Sequence, residues 1–335
     1  MIEPVVGQAI TDPVAWLNVV IAGLGTAGVY VMIASGLSLI FGLMGVLNFA
    51  HGTFTTVGAY VGGILVMTFL AENASSVLGA YVPFLVAVVL VGVVLALMGA
   101  VTEVGLIRRL YDRPPIDQIL LTFGIALVIR ELLYIFAPLW GADPTQDWKA
   151  VDVFGPPLLE SGFTVDVFGL SIQGLRVAEF LLGAVVVVAV WLFLTRTRYG
   201  LFIRAGSEDD EMAEALGINV RRVFTVVFAI GIGLAGMAGT FLVWETGYAV
   251  TPLMGAEKAL LPAFIVVVVG GLGTFKGTVV ASVVAGMFFE FGIYLNTNYL
   301  TEFSELPNMA LFILLVGILI LRPQGLFGQE EVGGH

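Results

Sequence analysis

Two strings in this sequence have the spacing of a dinucleotide-binding turn, Gly23-Gly25-Gly28 and Gly231-Gly233-Gly236, each reading G-x-G-x-x-G. That turn works after a strand, at the start of a helix, with an acid about 20 residues on to hold the ribose. After Gly28 the next acid is Glu72, and the second string lies in an uncharged run from Val223 to Trp244. Small residues at this spacing let membrane helices approach closely, so both are assigned to helix packing. Gly270-Gly-Leu-Gly-Thr-Phe-Lys276-Gly277 lacks the order of a phosphate loop, because no Gly precedes Lys276 and no Ser or Thr follows it. It reads as a flexible break between two half-length apolar pieces, 259–269 and 278–295. Nothing else in the sequence could hydrolyse ATP, so nucleotide energy would have to come from another polypeptide.

Other candidate residues are polar groups inside apolar runs. From Pro13 to Ala71 there is no Lys, Arg, Asp or Glu for 59 residues, too many for one crossing, since a helix spans the hydrocarbon core in about 20 residues. Asn48, His51 and Gly52 interrupt that run. Irregular backbone at membrane depth is tolerated only where protein or a watery path surrounds it. Asn48 and His51, with Gly270, Gly271 and Gly273 at the later break, are therefore candidates for a translocation path. The alternatives are a structural histidine bonded to a neighbouring helix and close packing at the glycines. Arg130, Glu131, Glu179, Glu245 and Glu290 lie within or beside apolar segments and need partners. Arg130 and Glu131 are adjacent, so on a helix they point apart and are not expected to pair. Structural ion pairs are favoured over a proton relay.

These residues must be positioned by helices in a membrane. The chain is 59% hydrophobic and 12% charged, with a mean hydropathy of +1.03, far from soluble usage. It contains no cysteine and two histidines, one of them His335, so no cofactor or metal site is expected. The start, MIEPVVGQAITDP, lacks a positive n-region, so the first apolar segment should be retained. Net charge is −11, and Lys149, Lys258 and Lys276 are the three lysines. That balance argues against nucleic acid as a partner and fits a high-salt host.

Apolar segments recur at 17–41, 46–70, 80–101, 118–137, 177–195, 223–244, 259–273, 277–295 and 306–321. We expect an all-α, polytopic membrane bundle within one domain, 1–335. It should have about eight to ten crossings and broken or re-entrant segments near 44–52 and 269–277. Arg108, Arg109 and Arg113, then Arg196, Arg198, Arg204, Arg221 and Arg222, and finally Arg322 mark three cytoplasmic connections. The N-terminus and the 138–176 loop then lie outside and the C-terminus in the cytoplasm. Alternation at Phe163-Thr-Val-Asp-Val-Phe suggests a hairpin in that outer loop.

The cytoplasmic connection 196–222 carries a second informative run, 204–219. Ser207 followed by Asp210 suggests an N-cap, Met212, Ala213, Ala215 and Leu216 an apolar face, and Gly217 a C-cap. A helix this short is marginal alone and is expected to dock. Its acidic face argues against lying on lipid.

Several strings together carry a family resemblance. They are GLSLIFGLMGVLNFAHG (36–52), GAYVG (58–62), EMAEALGIN (211–219), AGMAG (235–239), the run from Pro252 to Gly286, and LRPQGLFG (321–328). The sequence resembles the integral-membrane permease of branched-chain amino-acid ABC importers, of the LIV-H type. The resemblance implies inward transport without catalysis by this chain, ATP-binding partner subunits, a second permease subunit (paralogue or copy) and an external solute-binding protein. It also implies that Arg204, Glu208, Glu211, Ala213, Leu216 and Gly217 couple the chain to the ATPase. Urea or short amides within the same family, or a self-contained ion-driven carrier, remain alternatives.

Overall fold

The computed structural model describes residues 13–70, 77–111, 113–140, 164–167, 170–208, 210–244 and 250–328. Each of the nine apolar segments becomes a helix. These are α1 (Pro13–Met44), α2 (His51–Leu70), α3 (Val77–Gly105), α4 (Pro115–Phe136), α5 (Gly174–Arg196), α8 (Val220–Leu242), α9 (Leu261–Gly270), α10 (Phe275–Asn298) and α11 (Leu306–Leu321). Two short helices, α6 (Arg198–Glu208) and α7 (Asp210–Ala215), fill the connection between α5 and α8. Among the described residues, six helices are long and apolar enough to cross a membrane: α1, α3, α4, α5, α8 and α10. The protein is an all-α, multi-pass membrane bundle.

One expectation needs correction. The piece at 278–295 is not half-length, since α10 runs 24 residues. Only α9, at 10 residues, is short.

The centre of the bundle is α1 and α8, whose apolar windows are mostly buried by protein, whereas α4 and α5 mostly face outward. Backbone-to-backbone approach makes this possible. A Cβ on Gly36 would overlap the Gly231 carbonyl, one on Gly236 would meet Leu95, and Gly28 backs onto Glu179 and Gly183. Both G-x-G-x-x-G strings thus serve helix packing, as small residues do where lipid offers no hydrophobic drive between helices.

In the 138–176 loop, a hairpin of β1 (Thr164–Val167) and β2 (Leu170–Gln173) pairs antiparallel, Thr164 opposite Gln173 and Val167 opposite Leu170. Thr164–Val167 of the alternating run read from the sequence form the first strand, while Phe163 and Phe168 lie outside the described residues. Residues 141–163 of that loop, and Glu245, lie outside the described residues.

All three Arg-bearing connections gather at one end. Arg108 reaches Thr225 at the start of α8, Gly206 of α6 faces Leu43 at the end of α1, and the turn after Arg322 binds the end of α9.

Candidate translocation site and coupling segment

The first break begins where α1 stops at Met44, with Gly45 at φ 63°. A left-handed φ suits glycine because other residues carry a Cβ penalty there. The chain then turns back. His51, the first residue of α2, places Nε2 3.0 Å from the Ile33 carbonyl and donates to it. Ile33 lies eleven residues before the end of α1, about 17 Å back along a helix rising 1.5 Å per residue. The reversal at 45–50 is held by α4. The Phe49 amide donates to Thr122 Oγ1 at 3.2 Å, and Thr122 Oγ1 donates to the Leu47 carbonyl at 3.3 Å. Asn48 caps the turn, its Oδ1 accepting from the Ala50 amide at 3.1 Å.

A second reversal meets the first. After α8 the chain comes back to a π-helical turn, Gly255–Leu260, which runs directly into α9. The Gly255 amide donates to Thr56 Oγ1 at 2.9 Å, and a Cβ on Gly255 would overlap the Gly52 carbonyl. A cavity of about 160 Å³ lies where the two reversals face, lined by Leu37, Asn48, Phe49, Leu261 and Phe264 among others.

Of the candidate path residues, Asn48 alone lines this cavity. His51 is fully buried and engaged with α1, which fits the structural alternative for it. The three glycines sit at the far end of α9. Gly271 and Gly273 have φ of 102° and 76°, Gly273 backs onto Gly42, and a Cβ on Gly270 would meet Gly277. The Leu326 and Phe327 amides donate to the Val269 and Gly270 carbonyls at 2.8 and 3.0 Å. This is close packing plus a clasp by the terminal LRPQGLFG string, and the break that faces Asn48 is Gly255–Leu260 instead. The sequence signals for that break were Gly255 and the charged pair Glu257-Lys258 inside an apolar run.

Buried ions are paired. Arg176 lies 3.2 Å from Glu179 and 3.1 Å from Glu290, and Thr26 Oγ1 donates to Glu290 at 2.6 Å. Arg130 does pair with Glu131, at 2.7 Å, against expectation. Both side chains are at the surface, and the long Arg stem folds back over one residue. A cluster missed from the sequence is Glu103, fully buried, bound by Arg108 at 3.1 and 2.9 Å, Tyr111 at 2.6 Å and Thr225 at 2.7 Å. Burial, with the bond to Glu103, holds the Tyr111 hydroxyl well above the usual phenol range, so it stays a donor. The signal was a lone acid closing an apolar segment, five residues before an Arg.

In the coupling segment, α6 ends at Glu208 and α7 holds only Asp210–Ala215, with Glu211 as its second residue. Ser207 is not an N-cap: it lies within α6 and donates to the Arg204 carbonyl at 3.0 Å, because α6 continues through it. Arg204 anchors α6 through its bond to the Leu194 carbonyl. The stop at Gly217 follows the sequence reading. Gly217 has φ 86°, its amide donates to the Glu214 carbonyl at 2.9 Å, and Ile218 donates to Ala213 at 3.0 Å, the two bonds of a Schellman motif. Ala213 is buried while Met212 and Leu216 are 56% and 75% exposed.

The family model described as branched-chain amino acid transport system, permease component, matches residues 19–321. The chain belongs to that family. This permease is 30% identical over 314 residues to the high-affinity branched-chain amino acid transport system permease protein LivH of Escherichia coli K12, covering 92% of the chain and 94% of that protein. To the BraD permease protein of the corresponding Pseudomonas aeruginosa system it is 26% identical over 320 residues, 95% and 97% covered. A probable LivH of Methanocaldococcus jannaschii is 24% identical over 303 residues, 90% and 89% covered. No solved structure matches this permease.

Proposed function

We propose that this permease subunit imports hydrophobic amino acids by alternating access, driven by a separate ATP-binding subunit that seats on residues 204–219. The carrying observation is the exposed apolar tip, Met212 and Leu216, at the short α7, closed at Gly217 and preceded by α6, which Arg204 anchors. Met212 and Leu216, four residues apart and 56% and 75% exposed, form an apolar pair on one side of the segment that suits a partner groove. A rigid anchor at both ends lets motion of that partner pass to α5 and α8. In this reading the Arg-rich end is cytoplasmic, the N-terminus is outside, a second permease chain completes the pathway, and an external solute-binding protein delivers the substrate. Asn48 at the meeting of the reversals belongs to the path, and Glu208 and Glu211 join Arg204, Ala213, Leu216 and Gly217 in the docking segment.

The test is a mild-detergent pull-down of the tagged chain from its own host, with Gly217→Arg and Leu216→Asp alongside. An ATPase that accompanies wild type and is lost from both variants supports the docking reading. Wild-type chain that comes down alone across detergents and salt concentrations overturns it.

A further inference from the structure

Asn48 has a donor with nothing to give it to. The residue is 1% exposed, its Oδ1 is committed to the Ala50 amide, and its buried Nδ2 has no hydrogen-bond partner among the described residues. Buried polar groups are almost always satisfied, so an unpaired amide in a structured turn needs an explanation. It lines the cavity of about 160 Å³ between the two reversals, and every other lining residue is apolar, Leu37, Phe49, Leu261 and Phe264 among them. Glu257, in the facing π turn, is not part of that lining.

Two helices begin at this place. α2 starts three residues after Asn48, and the continuous helix made by the π turn and α9 starts at Gly255, against Gly52. A helix start carries partial positive charge that favours an anionic oxygen nearby, while the first amides here are already engaged: His51 with the Asn48 carbonyl, Gly255 with Thr56 Oγ1 and Ala256 with the Leu253 carbonyl. Broken helices presenting their starts to a substrate near the middle of the membrane use the same electrostatics.

We infer that this cavity is a station for the substrate, in which Asn48 Nδ2 holds the carboxylate of an aliphatic amino acid and the positive start of α2, three residues on, favours its charge. The apolar wall takes the side chain. This rests on the transport reading above and sharpens it, because urea offers neither a carboxylate nor an aliphatic group to such a wall.

The experiment uses the assembled importer purified with its ATPase partner, without the external binding protein, and reads equilibrium binding of radiolabelled leucine at pH 8. Leucine should bind saturably, and unlabelled leucinamide, which lacks the carboxylate, should compete at least about tenfold more weakly than leucine. Asn48→Asp keeps the acceptor for the Ala50 amide and replaces the lone donor by an anionic oxygen. It should lower leucine affinity at least about tenfold while the ATPase still co-purifies. Ala256→Trp, which fills the cavity from the π turn, should do the same. Equal leucine affinity in Asn48→Asp and wild type, equal competition by leucinamide, or no saturable binding each overturns the inference. Loss of the ATPase from the wild-type preparation is a separate readout and speaks against the docking reading alone.

Discussion

The backbone of Gly255 lies against the carbonyl of Gly52, so close that a Cβ on either residue would overlap the other. This contact locks the start of α2 to the start of the second reversal. Gly52→Ala is expected to destabilise the protein by about 1–3 kcal/mol, the usual cost of overpacking a tight site. Gly105, with open space around its Cα, is the control. Thermal unfolding in detergent should show a lowered midpoint for Gly52→Ala and an unchanged one for Gly105→Ala.

Gly217 is required for its backbone, not its size. Its φ of 86° would cost an ordinary residue about 1–2 kcal/mol, while asparagine tolerates this region. Among the described residues, no atom lies within 4 Å of a Cβ built there. Gly217→Asn should therefore retain ATPase co-purification and uptake, and Gly217→Val should lose most of both. Equal behaviour of the two would show that the left-handed stop is irrelevant to docking.

Glu103 and Arg108 should respond asymmetrically. Removing one partner of a buried pair costs about 3–5 kcal/mol, and partial exposure of Arg108 places its removal at the lower end. Arg108→Leu leaves the Glu103 carboxylate buried with two hydroxyl donors, Tyr111 and Thr225. Glu103→Gln leaves a neutral amide and an Arg that can turn to solvent. The larger fall in melting temperature is expected for Arg108→Leu.

A net charge of −11 on the full chain should make stability depend on salt. Repulsion between surface acids is screened as the Debye length falls from about 10 Å at 0.1 M to about 3 Å at 1 M. The melting temperature in a non-ionic detergent should rise steeply between 0.1 and several molar KCl. A flat response would remove the case for a high-salt host.

Much of the architecture was legible because hydropathy is a strong signal. All nine apolar segments are helices, and the Arg clusters that mark one side gather at one end. The hairpin at Thr164–Gln173 and the stop at Gly217 were readable because alternation and a terminal glycine report local backbone geometry. Tertiary matters were less legible. The polar residues at 48–52 announce a break, but that its counterpart is Gly255–Leu260 and not Gly270–Gly273 depends on where two distant segments meet. Thr56 and Thr122, which pin the reversals, look like ordinary helix threonines until their partners, the Gly255 amide and the 47–49 backbone, are known. The Arg130–Glu131 pair misled for the opposite reason, since helix geometry constrains Cβ directions and not the end of a long exposed side chain.

The clasp on α9 has a consequence for how the chain is made. The carbonyls of Val269 and Gly270 receive their donors from Leu326 and Phe327, fifty-seven residues later. During synthesis, α9 enters the bilayer with its end unfinished and stays so until that stretch has left the ribosome. A chain that stops anywhere in that interval leaves the Val269 and Gly270 carbonyls without these donors, and one that stops early in it lacks α10 and α11 as well.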